Sequence, residues 1–179
     1  LEAAMMAKNI PPGMFRPFAC MQWPAFRSKR WLHWVAQAER AIQPVTAPAI
    51  YAADQDAQAC RRLQRCVRQH DLQDAITVHC RDFFAHGPPK VEGRLLSPGL
   101  VVLNPPYGRR LIPPKPTKTL YQRISMKLRQ DFQGWRIALI LPHNHLPGHL
   151  PFNPTTKAII HGGLPLTLLT GRIETASRQ

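Results

Sequence analysis

The apolar positions along the chain follow two periods. Trp31, Val35, Ala38 and Ile42 recur at steps of three or four, as do Leu120, Ile124 and Leu128, and Ala59, Cys60, Leu63 and Val67 share the pattern. Such spacing lines one face of a helix. It predicts a helix capped by Ser28 that ends before Pro44, a second capped by Asp56, and a third over 117–131. Residues 1–9, rich in strong helix formers, predict a short helix stopped by Pro11, Pro12 and Gly13. The segment from there to Phe26 reads as irregular and aromatic.

Elsewhere the apolar residues form short runs bounded by Gly, Pro, Asn or Asp, which predict strands over 48–54, 75–84, 99–104, 135–141, 157–161 and 164–173. The unbroken run at 135–141 is expected of a strand covered on both faces. Residues 86–93 and 111–116 read as proline-rich loops. Gly162 and Gly163 leave room only for a tight antiparallel hairpin between the last two strands. Strands alternating with helices predict an α/β fold, a three-layer sandwich whose mostly parallel sheet carries helices on both faces and the closing hairpin at one edge. Residues 174–179 read as a frayed tail.

Composition adds a partner class. The 179 residues hold 24 Lys and Arg against 10 Asp and Glu, a formal net charge of +14. An excess of that size points to a polyanion, of which nucleic acid is the commonest. No apolar run approaches the roughly 20 residues of a membrane span. The four cysteines, Cys20, Cys60, Cys66 and Cys80, lack the paired spacing of a zinc site or a disulfide framework, so reduced thiols in a cytoplasm are expected. His143, His145 and His149 are close in sequence, but no Cys or acid accompanies them, and a polar loop near nucleic acid is the better reading than a metal site.

The chemistry gathers at the ends of strands, where open parallel sheets bind ligands. Asp54 ends the first predicted strand and is suited to accept from the two hydroxyls of a ribose. Asp82, beyond the second, can accept from an adenine amine, with the Phe83 ring beside it. Each acid could equally cap a turn, although Asp56 is better placed than Asp54 for that work. Together they suggest a cofactor that carries a nucleoside.

Asn104-Pro105-Pro106-Tyr107 is more specific. A residue before proline is kept extended, so Asn104 and Pro105 cannot enter a helix turn. Neither proline has an N–H to give a ladder. The Asn104 side-chain oxygen and the Pro105 carbonyl are then two acceptors converging on one point, matching the two hydrogens of an exocyclic base amine. Holding both hydrogens draws the nitrogen toward tetrahedral geometry and frees its lone pair, while Tyr107 stacks on the base. Arg109 and Arg110, beside this motif, are the candidates for phosphate contacts. Residues 110–116 also fit the pattern RxxPxxP of SH3 ligands, one short enough to arise by chance.

The quoted stretches "EAAMMAKNIPPGMFRPFACMQWPAF", "YAADQDAQACRRLQRCVRQHDLQDAITVHCRDFF", "NPPYGRRL" and "HGGLPLTLLTGRI" resemble, in order, the catalytic domain of bacterial THUMP-associated rRNA methyltransferases. The resemblance implies a Rossmann-like class I methyltransferase domain over 1–173, with S-adenosyl-L-methionine as cofactor and the exocyclic amine of a guanine in 23S ribosomal RNA as acceptor. It gives Asp54 to the cofactor ribose, Asp82 to its adenine, and Asn104, Pro105 and Tyr107 to the target base. In that family a first strand and a glycine-rich loop reading Asp-Pro-x-Cys-Gly-Ser-Gly-Thr precede the segment matching Leu1, and an RNA-binding THUMP domain lies earlier still. By this resemblance the chain is expected to be the carboxyl-terminal piece of a longer polypeptide, with weak or no hold on the cofactor by itself. It is also expected to have ladder groups unpaired between the strands ending at Asp54 and Asn104. Two other functions fit the residues: methylation of adenine in DNA, which the same motif serves, and a non-catalytic RNA-binding remnant lacking the cofactor loop.

Overall fold

A computed structural model of the chain describes residues 1–106, 117–143, 148 and 150–175. The chain divides into two units, Leu1–Ala85 and His86–Gln179.

In the first unit, α1 (Glu2–Ala7), a 3-10 turn (Ala19–Gln22) and α2 (Ser28–Arg40) precede β1 (Ile50–Asp54), α3 (Ala57–Gln69) and β2 (Ile76–Cys80). β1 and β2 pair in parallel through the crossover helix α3, with Ile50 opposite Ile76 and Asp54 opposite Cys80. Asp56 caps α3 as expected, accepting from the Gln58 N–H at 2.7 Å. The helix buries Cys60 and Val67, two members of the anticipated stripe. Val67 joins Ala4, Met5, Ile10, Leu72, Ala75 and Ile76 in the core of this unit. Lys8, at the carboxyl end of α1, ties that helix down: its Nζ reaches both Asp74 carboxylate oxygens at 2.7 Å and the Asp71 carbonyl at 3.1 Å.

α2 departs from expectation. Arg27, not Ser28, is the residue before its first turn, and no side chain caps it. None of its residues is buried; Trp31, Val35 and Ala38 are only half-covered, and Leu32 and Trp34 lie open to solvent.

In the second unit, β3 (Lys90–Val91) and β4 (Arg94–Leu95) form a small hairpin within the segment expected to be a loop. Its turn is Glu92-Gly93, both at positive φ (51° and 78°), the geometry that matches the twist of paired strands. β5 (Leu100–Leu103), α4 (Thr117–Asp131), β6 (Arg136–Pro142), β7 (Thr155–His161) and β8 (Leu164–Arg172) follow. They build a four-stranded sheet of order β5-β6-β8-β7, parallel between β5 and β6 and antiparallel from there on. His161 pairs with Leu164, so the connection is the two residues Gly162 and Gly163 (φ 56° and 79°) that the sequence marks for a hairpin. Tyr121, Ile124, Leu128 and Phe132 from α4 and its end are buried, as are Ile137, Leu139 and Leu141 of β6 and Leu166 and Leu169 of β8. The intervening residues of β6, Ala138 and Ile140, are only partly covered, so one face of that strand is sealed rather than both.

Among the described residues the strands pair as β1-β2, β3-β4 and β5-β6-β8-β7. Among the described residues β1 pairs only with β2, and β5 only with β6. Each therefore has, among those residues, one edge without a strand partner. Leu100 and Val102 of β5 are 51% and 63% exposed, which is unusual for apolar residues in a parallel pair. At residue 174 the backbone N–H of Glu174 donates to the Pro151 carbonyl at 2.8 Å, and residues 176–179 lie outside the described part. No helix among the described residues is long and apolar enough to cross a membrane.

Candidate cofactor and target-base sites

The parallel pairing of β1 and β2 brings Asp54 and Asp82 to the same carboxyl end of one sheet. Asp54 is the last residue of β1, and Asp82 lies two residues beyond Cys80, its cross-strand partner. The backbone reinforces this: the Arg81 N–H donates to the Asp54 carbonyl at 2.8 Å, extending the ladder one residue past β2.

Both carboxylates are exposed and both are aimed by short local hydrogen bonds. Asp54 Oδ1 accepts from the Asp56 N–H at 2.8 Å, and Asp82 Oδ1 accepts from the Phe84 N–H at 2.9 Å. These are Asx-type turns, in which a carboxylate binds the backbone two residues on. The capping role and a ligand role are compatible for Asp54, because its other oxygen has no hydrogen-bond partner among the described residues. Phe83 and Phe84 follow Asp82 as a half-buried pair of rings 5.4 Å apart, inclined at 71°.

Cys60 supports this strand end in a way no motif announces. Its thiol, 3% exposed, donates to the Asp54 carbonyl at 3.3 Å and lies 3.6 Å from the His79 carbonyl. Burial foremost, and then the neighbouring Cys80, push the Cys60 thiol above its ordinary pKa, so it remains a neutral donor under physiological conditions. Its only sequence signal is membership of the α3 stripe, which reads as core.

In the second unit, Asn104 follows β5 directly, exposed, and the next residue, Pro105, is buried while Pro106 is exposed. A buried proline behind an exposed amide anchors the tip from which that side chain projects. Tyr107, Arg109 and Arg110 lie outside the described residues, as do His145 and His149. His143 is described, with Nδ1 3.2 Å from Thr167 Oγ1. Asp54, Asp82 and Phe83 are thus assembled within one unit, and Asn104, Pro105 and Pro106 belong to the other.

An exposed acid stands at each of two adjacent strand ends in the first unit, and an Asn-Pro-Pro tip closes a strand of the second, in an α/β chain. Residues 1–156 match the RMKL-like methyltransferase domain, and the chain belongs to that family. It is 30% identical over 172 residues to a Synechocystis protein provisionally named an RNA methyltransferase, covering 94% of this chain and 43% of that protein. It is 31% identical over 141 residues to the ribosomal RNA large subunit methyltransferase K/L of Cellvibrio japonicus, covering 76% of this chain and 18% of that protein. The chain therefore spans less than half the length of either relative. Among solved structures, one provisionally named a methyltransferase and determined in complex with SAH superposes with a TM-score of 0.80 at 20% identity. That match takes in 99% of this chain and 45% of the other, and it shows the fold.

Proposed function

We propose that the chain carries the acceptor and nucleoside-binding half of an S-adenosylmethionine-dependent methyltransferase acting on the exocyclic amine of a guanine in 23S ribosomal RNA. The observation that carries the reading is the exposed Asn104 side chain set on a buried Pro105 immediately beyond β5, in a chain of the RMKL-like family. The relatives named for RNA and for large-subunit ribosomal RNA supply the substrate class, and the net charge of +14 suits it.

The nucleoside part of the cofactor fits the residues present. Asp54 is exposed and has one carboxylate oxygen committed to the Asp56 N–H, which leaves the other as an acceptor for ribose hydroxyls. Asp82 and the Phe83 ring serve the adenine. When bound, S-adenosylmethionine supplies an electrophilic methyl group on a sulfonium. On the acceptor side, Asn104 Oδ1 and the Pro105 carbonyl each take one hydrogen of the base amine. That fixes the nitrogen and directs its lone pair, and Tyr107 covers the base face. Preorganised acceptors and positioning carry the rate, with no strong general base required. Stacking worth about 1–3 kcal/mol helps offset the cost of withdrawing the base from its stack.

Two substitutions separate the halves. Asn104→Ala is expected to abolish methyl transfer while changing the affinity for SAH less than about twofold. Asp54→Ala is expected to weaken SAH, measured by calorimetry on the protein that carries these residues, by about tenfold or more, the loss of one charge-assisted hydrogen bond. Full activity in Asn104→Ala would remove the target-base assignment.

A further inference from the structure

The first unit has a cavity that the proposed chemistry does not use. It is an open cleft of about 270 Å³ lined by Trp23, Phe26, Arg27, Arg30, Trp31 and Trp34, among others. That is just under the roughly 300–1,000 Å³ of pockets that enclose drug-sized ligands, a size suited to one planar ring system.

Its walls are of two kinds. Trp31 is fixed, with Phe18 packed against it edge-on at 5.5 Å and Phe26 at 6.0 Å. Trp23 and Trp34 are instead 65% and 55% exposed. Two largely exposed indoles beside a third that packs against two rings form one aromatic patch rather than scattered surface hydrophobes. The second kind is cationic. Arg27 and Arg30 line the cavity, Lys29 lies between them, and none of the three forms an ion pair among the described residues. They occupy the start of α2, whose first turn contains no acid although the helix dipole favours one there. Exposed indole faces next to unpaired guanidinium groups match a nucleobase joined to its phosphate.

We infer that this cleft takes an unpaired base of the RNA substrate, stacked against Trp23 and Trp34, with the adjoining phosphate held by Arg27 and Arg30. The inference rests on the proposed function for its choice of RNA. It gives the substrate a second point of attachment on the first unit, besides the target-base motif. Stacking serves every base alike, so the cleft positions the strand without reading its sequence.

The test is titration of the 179-residue chain with a fluorescently labelled octariboadenylate, followed by anisotropy and by tryptophan quenching. Trp23→Ala and Trp34→Ala should each weaken binding about tenfold, whereas Trp34→Phe should stay within about threefold of the parent. Arg27→Gln with Arg30→Gln should lower the slope of log affinity against log salt by about 0.7, the contribution of one neutralised phosphate on a single strand. Because Trp23 and Trp34 are largely exposed, melting curves should coincide with the parent's. Overturning results are a parent chain that does not bind the oligonucleotide, or alanine variants that bind within twofold of it. Methyl transfer is read separately. Loss of transfer with stacking intact counts against the proposed function alone, and normal transfer with unaltered RNA affinity in the alanine variants counts against the cleft alone.

Discussion

Single residues in this chain are set mostly by their nearest backbone neighbours, and those are the ones the sequence exposes best. Asp56 caps α3 because its carboxylate reaches an N–H two residues on, a contact decided entirely within the segment. Ser28 has the residue type to do the same for α2, but the helix starts there and leaves it without a capping bond. Asp74 is the opposite case: its partner Lys8 lies 66 positions away and no local pattern announces it. That ammonium, at 2.7 Å from both oxygens, holds the Asp74 carboxyl below its ordinary value of 3.8. The folded state therefore binds this proton less readily than the unfolded chain does. The stabilisation is complete above pH 3.8 and is lost as pH falls from there through the lowered folded value. Asp74→Asn should remove that component of acid sensitivity, so that the stabilities of variant and parent converge at low pH and diverge at neutral pH in urea titrations. A constant gap at all pH values would contradict the ion pair's role.

At the scale of elements, type and order are legible and edges are less so. β7 and β8 are announced by two glycines in a row, and both glycines take the positive φ that a two-residue turn demands. The Glu92-Gly93 hairpin escapes notice because Glu seldom adopts a φ of 51°, so the sequence carries only half of the usual signal. Gly163 isolates the conformational cost. A Cβ there meets nothing within 4 Å, yet φ is 79°. Gly163→Ala should destabilise the second unit by about 1–2 kcal/mol from backbone strain alone, seen as a lower urea midpoint with an unchanged slope. An unaltered midpoint would mean that the turn relaxes to another type. The continuous apolar run of β6 illustrates a different limit. Composition cannot say whether a second face is covered, and here Ala138 and Ile140 are only partly so. The aromatic stretch before α2 has no helical or strand period, so that nothing in the sequence shows Trp23 and Phe26 meeting Trp31 and Trp34 of α2 in one cleft.

For the molecule as a whole, the two units divide the candidate chemistry between them. The acids that suit a nucleoside lie at the carboxyl end of the β1–β2 pair, and the Asn-Pro-Pro tip lies at the carboxyl end of β5. Both were readable because strand ends in parallel sheets are where ligands sit and because proline restricts its neighbours so strongly. The support from Cys60 and the cationic aromatic cleft were not, since each depends on residues brought together by tertiary packing or by an irregular segment. The most direct measurement is product identification. The protein carrying these residues is incubated with methyl-labelled S-adenosylmethionine and 23S ribosomal RNA, and the RNA is then digested to nucleosides for mass spectrometry. The account predicts label on the exocyclic amine of guanosine, absent from the Asn104→Ala reaction. Label on another atom of the RNA, or on adenine of duplex DNA in place of RNA, would contradict it.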